Sequence, residues 1–450
     1  MTESSKPGRR FFLILTLLAV VVLAGAGGQA ALQQPAAQEM RSGQAAPQQG
    51  TARVIEVGNA ANAETQRAKP YVVLVSLDGF RYDYVKKYAA PNIVAMAARG
   101  ATAPEGMIPA FPSSTFPNHL SIITGLYPEH HGIVANNFID PARAGANEYT
   151  CCGPHSMASD GSWYSGVPLW SLAEQNGMRA ASFFWAASEA EIAGKRPSYY
   201  ARFDPGVPLD ARVEQVIAWL KLPAAERPHF ITLYMEPVDG AGHAFGPDAP
   251  QVADAVKLVD AAVGKLVAEL EPLHLRVDVF VVADHGMQKT DPEWVSLDEY
   301  ADLKDFKTEG RLLYAPTEAE AEKAYKALDG ASEKFKVYRR ADVPAHLHYT
   351  ENPRTGDPVV VPTGPFYIRA RRPKPGEKDN PPSVGTHGYD PQTMVTMRAL
   401  FVAAGPDIRA GATVAPFENV NVYPAIAKIL GLPVGKIDGD EKVLDGILKK

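Results

Sequence analysis

Six residues with metal-binding side chains lie near the ends of apolar runs of strand length. They are Asp78, Asp239, His243, Asp284, His285 and His387. In a parallel sheet the carboxyl ends of the strands meet at one edge, so a single edge can bring all six together. Carboxylate oxygens combined with imidazole nitrogens suit zinc, whereas an all-oxygen set would suit magnesium or calcium. Three ligands for each of two ions is the arrangement that this set predicts.

A candidate nucleophile lies between two prolines in the segment Phe111–His119. Two metal ions about 3.5–4 Å apart can clamp a phosphoryl group during in-line displacement, and Thr115 is the hydroxyl that such chemistry would use. A helix could begin at Pro117, and a hydroxyl near a helix start and a dication loses its proton more easily than in water. The alternative is that Ser113, Ser114 and Thr115 only cap this helix.

Apolar runs predict the strands that position these residues. The run Tyr71–Gly79 has no helical spacing and is typical of a strand buried on both faces. The other runs are Ala180–Trp185, Phe230–Met235, Val277–Ala283 and Ala399–Ala403. Helices are predicted at Ile93–Arg99 and, from a spacing of three and four, between Val252 and Leu270 behind Pro250. This alternation predicts an α/β fold with a doubly wound, mostly parallel central sheet and helices on both faces.

The stretch from about 290 to 386 breaks this alternation. It contains a helical pattern at Thr317–Leu328, a short strand at Lys336–Tyr338 and proline-rich turns at Arg372–Pro382. The sheet pattern resumes only at Met397–Ala404. We therefore expect an inserted smaller subdomain or cap within the domain 70–450.

Residues 1–26 have the pattern of a cleaved secretory signal. Three basic residues precede the apolar run Phe11–Leu23, which is shorter than the ~20 residues of a spanning helix. A retained N-terminal anchor is the alternative. The pair Arg9-Arg10 also resembles a twin-arginine signal, so the export route stays open. We expect a periplasmic or secreted protein with no stable membrane span after cleavage.

Residues 27–69 are rich in Ala, Gln and Gly and are predicted to be a flexible tether, with order beginning near residue 70. The chain has 46% hydrophobic residues and a formal net charge of −6, which argues against a basic surface for duplex nucleic acid. Its only cysteines, Cys151-Cys152, are too few for a disulfide framework. We interpret them as a loop without a catalytic role; their bonding and the oligomeric state stay open.

Five motifs occur in order between residue 70 and the C terminus. They are Val73–Phe80, Thr115–His119 with Thr124–Pro128, Asp239–His243, Ala283–Met287 and Thr386–Tyr389. Together they resemble the nucleotide pyrophosphatase/phosphodiesterase family of the alkaline phosphatase superfamily. The resemblance implies an alkaline phosphatase-like fold with two zinc ions. One ion would be held by Asp78, Thr115, Asp284 and His285, and the other by Asp239, His243 and His387.

The resemblance also implies a substrate pocket. Asn136 matches an asparagine that hydrogen-bonds a phosphate oxygen, Phe116 and Phe203 match aromatic residues that enclose a nucleobase, and Trp185 matches a pocket-wall position. The implied reaction is hydrolysis of nucleotide phosphodiester or pyrophosphate bonds to nucleoside 5′-monophosphates through a phosphothreonine intermediate. The chain departs from the family at Met235–Asp239, where two acidic residues and a proline usually precede the aspartate.

Other functions on the same scaffold remain as alternatives. An aromatic pocket also suits choline phospholipids, because a quaternary ammonium is attracted to aromatic faces. A sulfatase would need a Cys or Ser in a Cys/Ser-x-Pro-x-Arg motif, which the segment around Thr115 lacks. A phosphate monoesterase needs a cation beside the nucleophile, and no Lys or Arg lies between Ile108 and Ile133. A binding protein without turnover is the alternative from another class.

Overall fold

A nine-stranded sheet forms the centre of the computed structural model, which describes residues 52–145, 147–373, 376 and 382–449. The strands of this sheet, numbered in chain order, are β1 (Val54–Glu56), β2 (Tyr71–Leu77), β3 (Ala101–Thr102), β4 (Ala180–Phe183), β5 (Tyr199–Ala201), β6 (Phe230–Met235), β7 (Val277–Val282), β8 (Phe401–Ala404) and β9 (Ala412–Thr413). Their order across the sheet is β1-β5-β4-β6-β2-β7-β8-β3-β9.

The five strands β5, β4, β6, β2 and β7 are parallel, whereas β1 pairs antiparallel with β5 and β8 pairs antiparallel with β7. Every residue of β2 and β7 is buried, which is why both are mostly apolar and show no alternation of apolar and polar residues. The predicted bounds of β6 are confirmed. The run predicted at Ala399–Ala403 forms β8, which is antiparallel to its neighbours.

Ten α-helices occur in the described residues. They are α1 (Tyr84–Lys87), α2 (Pro91–Ala98), α3 (Thr115–Thr124), α4 (Pro128–His131), α5 (Leu169–Gln175), α6 (Leu209–Leu220), α7 (Pro237–Phe245), α8 (Pro250–Leu270), α9 (Glu318–Leu328) and α10 (Val422–Leu430). Helix α8 packs against α2, α6 and α7, while α10 packs against α3 and β2. The predicted α/β class with a mostly parallel central sheet is confirmed.

The segment between β7 and β8 builds small two-stranded ladders instead of extending the sheet. The ladders join Gln288–Lys289 to Gly385–Thr386, Trp294–Ser296 to Tyr367–Arg369, Lys307–Glu309 to Leu312–Tyr314, and Phe335–Tyr338 to Val359–Pro362. A separate apolar cluster fills this region, including Val295, Leu313, Leu328 and Val360. A further ladder, outside this segment, joins Asn137–Ile139 to Glu148–Thr150. We refer to residues 288–386 as the insert.

Residues 52–69 are part of the fold, so for them the expectation of a flexible tether is wrong. Strand β1 pairs with β5, and Asn62 is only 2% exposed. The Asn62 amide donates to the carbonyls of Ala224 and Arg227 at 2.8 and 2.7 Å, and its carbonyl oxygen accepts from the N–H of Arg179 at 2.7 Å. Ala and Gln dominate the composition of residues 27–69 as a whole, so the composition does not indicate the short strand Val54–Glu56.

The predicted signal 1–26 and the tether residues 27–51 lie outside the described residues. Cys151 and Cys152, whose bonding the sequence leaves open, form a disulfide. In the part of the chain that is described, no helix is both long and apolar enough to cross a membrane.

The hydrogen bonds of Asn62 lead to a prediction that tests whether residues 52–69 are packed against the domain or form a flexible tether. Asn62→Ala removes three hydrogen bonds and leaves buried backbone groups without partners, so we expect a loss of about 2–4 kcal/mol in the free energy of unfolding. Urea unfolding measures this loss. The matched variant Glu64→Ala, at an exposed neighbouring position, should stay within about 0.5 kcal/mol of the wild type. Equal stability of both variants would contradict the docking.

Candidate active site

Three neighbouring parallel strands each deliver a carboxylate to the same edge of the sheet. Asp78 directly follows β2, Asp284 follows β7, and Asp239 lies in the first turn of α7, just after β6. These side chains are buried, with at most 6% of each residue exposed. Asp239 lies in a helix that begins at Pro237, which puts His243 one helical turn further on the same face.

The first group of predicted ligands meets around the ring of His285. Its Nε2 atom lies 3.1 Å from Asp284 Oδ2, 3.5 Å from Asp78 Oδ1 and 3.3 Å from Thr115 Oγ1. Asp284 and His285 are consecutive, whereas Asp78 and Thr115 come from distant parts of the chain. The structure therefore brings together the four residues that the resemblance assigns to one ion.

The second group lies directly beside the first. His243 Nε2 is 3.1 Å from His387 Nε2 and 3.4 Å from Asp239 Oδ1, and His387 Nε2 is 3.8 Å from the same carboxylate oxygen. The rings of His387 and His285 stack with their centroids 3.6 Å apart, which joins the two groups into one centre.

The hydrogen bonds of the three histidines fix which nitrogen faces this centre. The Nδ1–H groups of His243, His285 and His387 donate to the backbone carbonyls of Gly385, Gly286 and Ser113 at 2.8, 2.9 and 2.9 Å. In its neutral form each ring therefore turns an unprotonated Nε2 inward, as metal-binding histidines do. Two Nε2 lone pairs 3.1 Å apart are favourable only when a proton or a cation lies between them.

The carboxylates also require positive charge. Asp78 Oδ1 and Asp284 Oδ2 are buried and accept no hydrogen bond from the described residues, and a buried carboxylate oxygen without a partner is costly. Burial and the negative charges of Asp284 and Asp239 raise the pKa of Asp78 well above its ordinary value. Burial would raise the pKa of Asp284 too, but His285 and His119 outweigh it and hold that pKa below its ordinary value. This donor set fits divalent cations of the zinc type.

Thr115 is the first residue of α3, two residues earlier than the predicted start at Pro117. Ser114 precedes the helix, but its side chain makes no capping hydrogen bond. Ser114 therefore does not cap this helix with its side chain. Thr115 directs its hydroxyl toward the His285 ring, at the place where the helix N-terminus adds a partial positive charge.

Two residues without a predicted site role hold the first group in position. The Tyr234 hydroxyl donates to Asp78 Oδ2 at 2.5 Å, which leaves Oδ1 facing the centre. His119 is fully buried; its Nδ1–H donates to the Thr115 carbonyl at 2.8 Å, and Nδ1 lies 3.5 Å from Asp284 Oδ2. The sequence could have indicated Tyr234, because a tyrosine stands out within the apolar run of β6. It could not indicate the role of His119, whose partner Asp284 lies 165 positions away.

The remaining predicted residues surround the centre. Asn136 Oδ1 accepts a hydrogen bond from the Phe116 N–H at 3.0 Å, so its amide group points elsewhere. Phe203 is 42% exposed and packs edge-on against Phe184, and it also packs edge-on against Tyr234.

Trp185, predicted as a pocket-wall residue, lies buried beneath the surface. It is 3% exposed, and its indole N–H donates to the carbonyl of His119 at 3.1 Å. The contact places Trp185 against helix α3.

A buried Arg212–Glu236 pair anchors the loop at which the sequence departs from the family pattern. Glu236 precedes α7, and its carboxylate accepts from both terminal nitrogens of Arg212, at 2.6 and 3.0 Å. Arg212 also donates to the carbonyl of Tyr234. The loop path remains compatible with Asp239 as a ligand.

The fold and the centre together define an alkaline phosphatase-like α/β protein with a candidate two-metal site. Residues 72–390 match the family described as type I phosphodiesterase / nucleotide pyrophosphatase, and the chain belongs to this family.

Relatives of known sequence support the same membership. Over 400 residues the chain is 34% identical to an uncharacterized pyrophosphatase/phosphodiesterase of Schizosaccharomyces pombe, with 85% of this chain and 81% of the relative covered. It is 32% identical to human ectonucleotide pyrophosphatase/phosphodiesterase family member 1, with 84% of this chain and 42% of the relative covered. The chain thus spans less than half the length of the human relative.

Solved structures show the same likeness. Murine ectonucleotide pyrophosphatase/phosphodiesterase 5 matches with a TM-score of 0.76 and 27% identity, over 84% of this chain and all of the murine chain. An inactive threonine-to-alanine variant of that murine protein, in complex with AMP, matches with the same TM-score and identity over 85% of this chain.

The donor set predicts how many metal ions the chain binds. We expect protein dialysed against zinc to contain two ions per chain by elemental analysis. His387→Ala should lower this to about one, because the second group loses a ligand while the first keeps all of its own. The control His155→Ala, at an exposed histidine outside the centre, should keep two. Two ions in the His387→Ala protein would refute this assignment.

Proposed function

We propose that this protein is a two-zinc phosphodiesterase and pyrophosphatase that hydrolyses nucleotides to nucleoside 5′-monophosphates through a phosphothreonine intermediate. The observation that carries the proposal is the position of the Thr115 hydroxyl, 3.3 Å from His285 Nε2 and within the group completed by Asp78 and Asp284. Ions bound by the two groups would supply Lewis acidity, which polarises phosphoryl oxygens and favours ionised hydroxyl groups.

Thr115 has the geometry of a nucleophile. Its oxygen forms a bond to phosphorus while the bond from phosphorus to the leaving oxygen breaks. Water then attacks the phosphothreonine from the side that the leaving group vacated, and the bond from Thr115 to phosphorus breaks to give the monoester. Asn136 has its oxygen engaged by the Phe116 N–H, so its amide N–H groups are available to donate to a non-bridging phosphate oxygen.

The aromatic residues near the centre favour a nucleoside as the bound part of the substrate. Phe203 is half exposed beside Tyr234, and Phe116 follows the nucleophile. Aromatic faces stack on nucleobases. The murine relative bound to AMP is inactive when a threonine is replaced by alanine, which agrees with a nucleotide substrate and a threonine nucleophile here.

A choline-phospholipid phosphodiesterase is the second candidate, because the same exposed Phe203 face suits a quaternary ammonium group. A phosphate monoesterase is less well supported, since no Lys or Arg lies between Ile108 and Ile133. We also propose that the protein acts outside the cytoplasm, as its relatives named ectonucleotide and venom phosphodiesterases do.

Replacement of the nucleophile tests the mechanism. We expect Thr115→Ala to lower kcat on p-nitrophenyl-TMP by at least about 10³-fold, because the attacking oxygen is absent. Thr115→Ser keeps a hydroxyl and should retain measurable turnover. Thermal unfolding of both variants confirms that they are folded. Wild-type turnover by Thr115→Ala would rule out the proposed intermediate.

A substrate panel separates the candidate functions. With zinc-loaded enzyme we expect ATP to give AMP and pyrophosphate on HPLC. We also expect bis-p-nitrophenyl phosphate to react faster than p-nitrophenyl phosphate, because no Lys or Arg between Ile108 and Ile133 neutralises the extra charge of a monoester. Glycerophosphocholine should react slowest. Faster cleavage of glycerophosphocholine than of ATP would favour the phospholipid alternative, and faster cleavage of the monoester would favour a monoesterase.

A further inference from the structure

The end of a short ladder places the disulfide beside Asn136. The strands Asn137–Ile139 and Glu148–Thr150 pair, and one further hydrogen bond extends their ladder, from the N–H of Cys151 to the carbonyl of Asn136 at 2.9 Å. Cys151 is bonded through its sulfur to Cys152, the next residue in the chain. The residue that we propose as a donor to the phosphoryl oxygen is therefore the direct partner of a half-cystine.

Asn136 is held from two sides. Its side-chain oxygen accepts a hydrogen bond from the N–H of Phe116, the residue after the nucleophile, at 3.0 Å. Its backbone carbonyl accepts the hydrogen bond from Cys151. A shift of the Cys151 backbone acts directly on the second of these bonds. The direction of the Asn136 amide group thus depends on the conformation of Cys151 as well as on helix α3.

The disulfide lies in a short turn whose base is fastened to the ladder. The N–H of Met157 donates to the carbonyl of Thr150 at 2.8 Å, which closes the turn. Within the ladder, the rings of Phe138 and Tyr149 are buried and stack with their centroids 4.7 Å apart. The ladder therefore has its own support in the core. A change at the disulfide is confined to the turn and to the last hydrogen bond, the one that Asn136 accepts.

This bond cannot stabilise the fold in the way that a long-range crosslink does. A disulfide restricts the unfolded chain more strongly when it closes a longer loop, and here the two half-cystines are adjacent in sequence. The bond instead closes a small ring around one peptide bond, so Cys151 and Cys152 have few backbone conformations. Reduction opens this ring and returns rotational freedom to both residues, which weakens the ordered contact from Cys151 to Asn136.

The two half-cystines differ in access. Cys152 is exposed, whereas Cys151 is 7% exposed and packs in the core. A thiolate from solution therefore attacks the sulfur of Cys152, and the bond to Cys151 breaks as a mixed disulfide forms. Cys151 leaves as a thiolate and takes up a proton. A second thiolate then attacks the sulfur of the reductant, which releases Cys152 and leaves the reductant as a disulfide.

We propose that Cys151 and Cys152 form a thiol–disulfide exchange site that controls how well Asn136 binds the phosphoryl group. The oxidised form holds Asn136 in its binding position, and reduction by a thiol lowers activity while the domain stays folded. The inference rests on the proposed function, because it takes the Asn136 amide as a donor to the substrate. The two cysteines are positioning residues in this proposal and touch no reacting atom.

Reduction of the wild-type protein is the test, because the chain has only two cysteines and any protein thiol comes from this bond. After tris(2-carboxyethyl)phosphine is added and then removed, Ellman titration should find both thiols, whereas untreated protein should show none. We expect kcat/KM on p-nitrophenyl-TMP to fall by about 3- to 30-fold, less than the ~10²-fold or more that removal of such a donor costs. Thiol–disulfide exchange with oxidised glutathione should restore the rate, and elemental analysis should show an unchanged zinc content.

Two variants show whether the effect acts through Asn136. The double variant Cys151→Ser with Cys152→Ser should have the lowered rate of the reduced protein and should not respond to the reductant. In Asn136→Ala, which has no amide donor, reduction should change kcat/KM by less than about twofold. A disulfide with a merely structural role would instead give the same fractional loss in Asn136→Ala as in the wild type.

Four outcomes would overturn the proposal. They are reduction with an unchanged rate, absence of thiols after treatment of the folded protein, a response of the serine variant to the reductant, and an equal loss in Asn136→Ala. The wild-type measurement needs no variant, so poor folding of the serine protein does not prevent the test.

Binding of AMP to the zinc-loaded protein, measured by calorimetry, provides a readout without turnover. We expect reduction to raise the Kd for AMP by a similar factor, because the same amide contacts the phosphate. Wild-type protein that is inactive on p-nitrophenyl-TMP, but whose affinity for AMP falls on reduction, would refute the proposed function and retain the role of the disulfide. An unchanged Kd for AMP on reduction would contradict that role.

Discussion

Buried negative charge at one edge of the sheet is the constraint around which this protein is built. Among the described residues, Asp78 and Asp284 each have a buried oxygen that accepts no hydrogen bond, and the imidazoles around them turn Nε2 inward because Nδ1–H donates to a backbone carbonyl. Such a cluster of acceptors is strongly unfavourable in a protein interior unless cations compensate it. The parallel strands, the backbone carbonyls that fix the histidines and the hydroxyl of Tyr234 all serve to hold these acceptors in place.

Close approach of the loops that leave the strands is part of the same arrangement. Gly79 follows Asp78 with a φ of +67°, and a Cβ atom there would lie 2.9 Å from the Cα of Asp239. The loops after β2 and β6 can therefore approach only because this residue has no side chain. Proximity of the two loops brings the two ligand groups into a single centre rather than two separate sites.

The candidate ligands could be placed together from the sequence because most of them lie next to a strong local signal. Asp78, Asp239 and Asp284 follow apolar runs, and the geometry of parallel strands converts that local pattern into spatial proximity. Other features depend on partners that are distant in sequence, so no local pattern indicates them. Strand β1 forms because it pairs with β5, about 145 positions later, and the hydrogen bond from Arg311 to Gly388 spans 77 positions. Composition misled at residues 52–69, where a short strand is preceded by an Ala- and Gln-rich stretch.

The insert returns to the domain through the short ladder between Gln288–Lys289 and Gly385–Thr386, so its two ends lie side by side next to the metal centre. A segment attached in this way can change in length or composition without moving the strands that carry the ligands. The proposed pocket residues Asn136 and Phe203 also lie outside the insert, so a change in the insert leaves them in place.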